Sequence, residues 1–161
     1  MGLPHAKLFI NAKIVLSHLN TSNVFNLRLF GCFGVHEESQ RLFRTCYDKF
    51  SKGINAIITQ DKYMDYFYAQ DVGRVIENIV ANYNDYDIPR DINLSYSKKY
   101  KLSDYAGMIK DLTKNTEDVI IESENMANAY TGDSFLIEDL EINLIGLQRG
   151  MEECLKNWSK S

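Results

Sequence analysis

Asn26-Leu-Arg-Leu-Phe-Gly-Cys-Phe-Gly34 is the stretch that decides the fold. With Val24 and Phe25 before it, residues 24–30 are apolar at nearly every position, which predicts a strand buried on both faces and parallel to a neighbour. Gly31 and Gly34 predict a tight turn at the carboxyl end of that strand. In an open parallel sheet this end faces the cleft in which small molecules bind.

The flanking sequence keeps the pattern. Residues 5–19 set Leu8, Phe9, Ala12, Val15, Leu16 and Leu19 at helical spacing, and the polar run 20–23 stops the helix. Downstream, a helix over 40–52 ends at Gly53, and a short strand spans 56–59. Residues 65–68 are extended. Asp71 then reads as the N-cap of a helix with Val72, Val75, Ile76, Ile79 and Val80 on one face. After the turn-rich 82–89 come a strand over 92–94, a helix capped by Ser103 and a strand over 119–121. A polar loop over 125–133 and helical segments over 137–145 and 147–158 complete the chain. Helices alternating with strands predict an α/β fold with parallel crossovers, and 161 residues read as a single domain.

Composition excludes several classes of function. A net charge of −4 and a pI near 5.4 lack the electrostatic footprint of a nucleic-acid binder, and Lys98, Lys99 and Lys101 are too few to restore it. Cys32, Cys46 and Cys154 show no C-x-x-C spacing, which argues against a disulfide framework or a zinc site and for a reducing compartment. No apolar run reaches the length of a membrane span and no secretory leader is legible, so a cytoplasmic location away from membranes is expected. His5, His18 and His36 are dispersed, so no metal site is expected.

Other short patterns have structural readings. Gly31-x-x-Gly34 is only a fragment of a phosphate-binding loop, which needs closely spaced glycines between a strand and a helix. Gly146-x-x-x-Gly150 reads as close packing or a cap, and Glu37-Glu38 as a solvated start to the following helix.

Three segments in order carry a resemblance. Lys7 on an amphipathic helix, then Asn26 to Gly34, then Met64-Asp-Tyr-Phe-Tyr-Ala-Gln-Asp-Val72 resemble successive landmarks of the extended short-chain dehydrogenases. In that family a Tyr-x-x-x-Lys helix precedes a Leu-Arg-x-Phe-Asn-x-x-Gly strand and an Arg-Asp-Phe-x-x-Val-x-Asp-Val segment. Leu102-Ser-Asp-Tyr-Ala106 and the terminal residues 139–158 resemble its later helices.

The resemblance implies a carboxy-terminal half: late strands of a Rossmann-type parallel sheet plus the small substrate lobe, with the amino-terminal cofactor half missing. For the intact family it implies NAD or NADP and a sugar-nucleotide substrate; for this chain alone, no cofactor. It makes Lys7 the remnant of the catalytic pair and sets Phe30, Gly31 and Cys32 beside the cofactor once a missing half completes the site. Phe33, Gly34, Arg41, Arg44, Asp65 and Arg74 are then the substrate-side residues.

Leu3 stands where the family tyrosine would be, Gly31 where it has asparagine, and Met64 where many members have arginine. In the family the lysine lowers the tyrosine pKa so that a proton moves while hydride moves. The reading is therefore a truncated or remnant nucleotide-sugar epimerase, dehydratase or reductase, inactive alone. The alternative is a non-catalytic interaction module. Apolar residues around more than one face of the 5–19 helix imply a homo-oligomer or a separate amino-terminal half as partner.

Overall fold

The computed structural model describes residues 24–82 and 88–160; the helix expected over 5–19, with Lys7, lies outside the described residues. The order is β1 (Asn26–Leu29), β2 (Cys32–Phe33), α1 (Leu42–Phe50), β3 (Ala56–Ile58), β4 (Phe67–Tyr68), α2 (Ala69–Ala81), β5 (Asp91–Leu94), α3 (Leu102–Thr113), β6 (Val119–Ile121), α4 (Phe135–Asp139) and α5 (Leu147–Trp158). The strands pair as β1 with β5, β2 with β4 and β3 with β6, each pair parallel, as an α/β chain with crossover connections requires. No helix among the described residues is long and apolar enough to cross a membrane.

The deciding stretch differs from its sequence reading in two respects. β1 is parallel to β5 but only partly buried, with Leu29 41% exposed, because among the described residues it pairs along one edge. Residues 31–34 are not a turn: β2 interrupts them and takes β4 as its partner. Gly31 permits this. A Cβ there would lie 2.8 Å from the Asp65 carbonyl oxygen and the Tyr66 ring, and the Gly31 carbonyl accepts the Phe67 amide at 2.9 Å. The reversal comes later, where the Glu37 amide donates to the Gly34 carbonyl at 3.0 Å.

Successive side chains of a strand point to opposite faces, and β4 uses this to join two apolar clusters. Tyr68 enters one with Phe33, Phe43, Tyr105 and Met151. Phe67 enters the other with Val75, Ile79, Ile92 and Leu94. The first is largely aromatic: Phe33 stacks on Phe43 at 4.6 Å between centroids, and Tyr66 meets Phe43 edge-on at 4.9 Å. Of the apolar face expected on α2, Val75 and Ile79 are buried, whereas Ile76 and Val80 are exposed. Gly150 lies so close to the Tyr68 ring that a Cβ would approach it to 2.7 Å, and Gly146 is the N-cap of α5, in line with the packing-or-cap reading.

Two expected caps have other duties. α2 begins at Ala69 with Tyr68 as N-cap, so Asp71 falls inside the first turn. Fully buried, Asp71 accepts the amides of Ile145 at 2.6 Å and Gly146 at 2.9 Å and the Tyr96 hydroxyl at 2.5 Å. The helix expected over 137–145 stops at Asp139, where the Glu141 amide closes a turn on the Glu138 carbonyl at 3.0 Å and Glu141 takes φ +48°; beyond it Asp71 holds residues 145 and 146. Ser103 is likewise inside α3, whose N-cap is Lys101; its hydroxyl donates to the buried Asp61 at 2.6 Å.

Replacing Asp71 with Ala leaves two backbone amides and a phenol without an acceptor. At roughly 1–3 kcal/mol for each buried orphan, the expected loss is about 3 kcal/mol or more. Urea unfolding measures it; a midpoint equal to that of the unmodified chain would show that the carboxylate is not a tertiary anchor.

Candidate functional site

Because β2 and β4 are parallel, their carboxyl ends open on the same side. A cavity of about 600 Å³ lies there, lined by Cys32 and Phe33 of β2, the following turn from Gly34 to Glu38, Arg41, Tyr68, and the opening residues Ala69 and Gln70 of α2. This is the location at which parallel α/β sheets receive ligands. α5 holds the turn in place: the Trp158 indole N–H donates to the Val35 carbonyl at 2.8 Å. The Tyr68 hydroxyl donates to Glu153 of the same helix at 2.8 Å.

Four of the residues proposed from sequence, Cys32, Phe33, Gly34 and Arg41, meet at this cavity. The others are placed elsewhere. Phe30 packs edge-on against Tyr130 at 5.3 Å, and Gly31 is enclosed by Asp65 and Tyr66. Arg44 pairs with Asp48 at 2.9 Å and lies over the Trp158 ring at 5.3 Å. Arg74 donates to the Asn143 carbonyl. Asp65 is buried and accepts the Gly132 amide at 2.8 Å, the Ser95 hydroxyl at 2.6 Å and the Lys99 ammonium at 3.1 Å. Lys7 lies outside the described residues.

The polar groups on the cavity differ in character. Arg41 is half exposed and donates through Nη2 to the Cys32 carbonyl at 3.3 Å. Burial pushes the Cys32 thiol above its ordinary pKa, so it is protonated near neutrality and a poor nucleophile. Glu37 corrects the solvated reading of the Glu37-Glu38 pair. Glu38 is exposed, but the Glu37 side chain is only 1% exposed, and the Phe43 amide approaches its carboxyl without completing a hydrogen bond of normal geometry. Burial lifts its pKa to about 7, against the opposing pull of the Arg41 guanidinium and the Phe43 amide. The nearest cation, Arg41 Nε, stands 3.8 Å away.

Sequence reasoning missed Glu37, Tyr68 and Gln70. Adjacent glutamates before a helix look alike in sequence. Only the turn closed on Gly34, which sends one inward, separates them. Tyr68 and Gln70 reach the cavity because β4 pairs with β2, a contact between segments about thirty-five residues apart. Among the described residues, no group of three or more His, Cys, Asp or Glu is arranged to hold a metal ion.

No protein-family model matches the sequence, and no curated protein does. Solved structures match clearly. A GDP-mannoheptose C4 reductase from Campylobacter jejuni, solved with NADP bound, aligns at TM-score 0.68 and 16% identity over 93% of this chain and 54% of its own. A UDP-N-acetylglucosamine 4-epimerase from Methanobrevibacter ruminantium M1, in complex with UDP-N-acetylmuramic acid, aligns at 0.67 and 15% over 96% and 52%. TunA, an NAD-dependent NDP-hexosamine 5,6-dehydratase of tunicamycin biosynthesis, aligns at 0.64 and 15% over 92% and 50%. The chain spans about half the length of the structures it matches. Its fold is that of part of the epimerases, dehydratases and reductases to which the sequence motifs pointed.

A raised carboxyl pKa fixes the sign of a pH effect. The folded protein holds the Glu37 proton up to about pH 7, whereas the unfolded chain releases it near 4.5, so stability falls as pH rises between those values. Allowing for solvent screening at the cavity mouth, the penalty above pH 7 is about 2 kcal/mol. Glu37→Gln is expected to be more stable than the unmodified chain at pH 8 by about that amount and to match it near pH 4.5. Urea midpoints across the range test this; a difference independent of pH would mean that Glu37 titrates normally.

Proposed function

We propose that this chain supplies the sugar-nucleotide-binding lobe of an enzyme of the extended short-chain dehydrogenase type, one that epimerises, dehydrates or reduces the sugar. The observation that carries this reading is the cavity beyond the parallel ends of β2 and β4, in a fold shared with enzymes named for such reactions. Arg41 at the cavity mouth suits a diphosphate, and the opening turn of α2 adds the positive end of a helix dipole. The deeper wall of Phe33, Val35 and Tyr68 provides the apolar surface on which a sugar ring lies.

The described residues do not by themselves fit a dinucleotide. Of Phe30, Gly31 and Cys32, only Cys32 lines the cavity, while the other two are occupied by packing with Tyr130, Asp65 and Tyr66. NAD(P) would be held mainly by residues outside those described, and Leu3 in place of the tyrosine deprives Lys7 of a phenol to activate. On this reading the 161-residue chain binds a sugar nucleotide and catalyses no turnover.

A thermal-shift panel of NAD, NADP and UDP-, GDP-, CDP- and dTDP-sugars tests the proposal. A sugar nucleotide at about a hundred times its Kd adds about 2.7 kcal/mol, a rise of roughly 5–10 °C for a chain of this length. NAD and NADP are expected to give none. Stoichiometric NAD(P) on the isolated chain, or no response to any sugar nucleotide, would overturn it.

A further inference from the structure

No residue of α5 lines the cavity, yet α5 is hydrogen-bonded to both of its walls. On one side the Tyr68 hydroxyl of β4 donates to Glu153 at 2.8 Å, and the Tyr68 ring lies so close to Gly150 that a Cβ there would meet it at 2.7 Å. On the other the Trp158 indole N–H donates to the Val35 carbonyl at 2.8 Å. The two walls depend on α5 unequally. Tyr68 already stands in register with Phe33 across the parallel pair. Val35 lies beyond the end of β2, where the backbone hydrogen bonds are local: the Glu37 amide to the Gly34 carbonyl and the Arg41 amide to the Glu38 carbonyl, each at 3.0 Å. Turns closed on themselves fix their own shape but not where they stand relative to β4 and α2. The Val35 side chain packs against the aromatic cluster, a contact without direction. The indole bond, which spans 123 residues, adds the direction. Its donor is well held, since Trp158 is buried with the Tyr47 ring at 5.5 Å and the Arg44 guanidinium at 5.3 Å.

We propose that Trp158 is a positioning residue for the cavity: its indole N–H holds Val35, and with it the turn that presents His36 and leads into Arg41, at the spacing from Tyr68 and Gln70 that a ligand requires. A hydrogen bond weakens steeply with distance and angle, so losing this one lets the turn shift while the paired strands stay in place. The inference rests on the sugar-nucleotide reading and extends it to a residue that touches no ligand.

The chain has one tryptophan, so its emission reports Trp158 alone. Titration of the full chain with UDP-glucose and GDP-mannose is expected to change that emission along the binding curve that calorimetry gives, although Trp158 lies outside the cavity. Benzothienylalanine in place of Trp158 keeps the bicyclic ring and exchanges the N–H for sulfur; Trp158→Phe removes the donor and part of the ring. Both are expected to bind about tenfold more weakly, the effect of one lost hydrogen bond. Without ligand, amide exchange over residues 34–41 should quicken about tenfold in both while that of α3 is unchanged. Fluorotryptophan, which keeps the donor, should restore both properties. Circular dichroism checks folding, and the benzothienyl form carries the test if Trp158→Phe does not fold.

Affinity in the benzothienyl form within about twofold of the unmodified chain would overturn the assignment and leave the sugar-nucleotide reading standing. Emission unmoved by a ligand that calorimetry shows bound, or exchange that quickens throughout the molecule, would overturn it too. If no sugar nucleotide binds any form, the sugar-nucleotide reading falls and exchange alone decides the anchor: quickening confined to 34–41 sustains it, and no change overturns it.

Discussion

Two buried aspartates, one on each side of β4, hold the distant parts of this chain together. Asp65 gathers Ser95, Lys99 and the Gly132 amide; Asp71 gathers Tyr96 and the amides of Ile145 and Gly146. The Tyr96 hydroxyl also accepts the Tyr68 amide at 3.2 Å, so the segment after β5 is bonded to the amide of the last β4 residue as well as to Asp71. A carboxylate with two or three donors in a buried setting is worth keeping only if all of them are present. β4 is thus fixed in register against β2, and the cavity forms where those two strands end.

Much of this order was legible in the sequence because it is local. Helical spacing and a glycine stop predicted α1 over 40–52, and the structure has it over Leu42–Phe50, with Gly53 at φ +67°. The β-branched run of β6 and the amphipathic α5 fall where the pattern set them. What escaped depends on partners far along the chain. Ile145 reads as the end of a helix in sequence, yet the acceptor of its amide lies 74 residues upstream. Periodicity is blind to such competition.

The candidate site divides along the same line. Cys32, Phe33 and Gly34 were legible because a strand end followed by glycine has one meaning in a parallel sheet, whereas Arg41 was named only alongside Arg44 and Arg74, from the family resemblance, and only the structure separates the three. Arg44, Arg74 and Asp65 are equally polar in sequence, yet each meets an intramolecular partner that the sequence does not reveal: Asp48, the Asn143 carbonyl, and the Ser95, Lys99 and Gly132 donors. Glu37 shows the converse, a carboxyl that reads as solvated and is enclosed, with no hydrogen bond of normal geometry to either oxygen.

The three thiols have a practical use. Cys46 and Cys154 are sealed in the aromatic cluster, whereas Cys32 is half-buried on the cavity wall. Burial raises the pKa of all three, so none reacts quickly at neutral pH, but a small alkylating reagent reaches the half-buried Cys32 ahead of the sealed pair. The chain therefore carries its own footprinting label: the rate at which one cysteine takes up mass reports whether the cavity is open or filled, without any engineered probe.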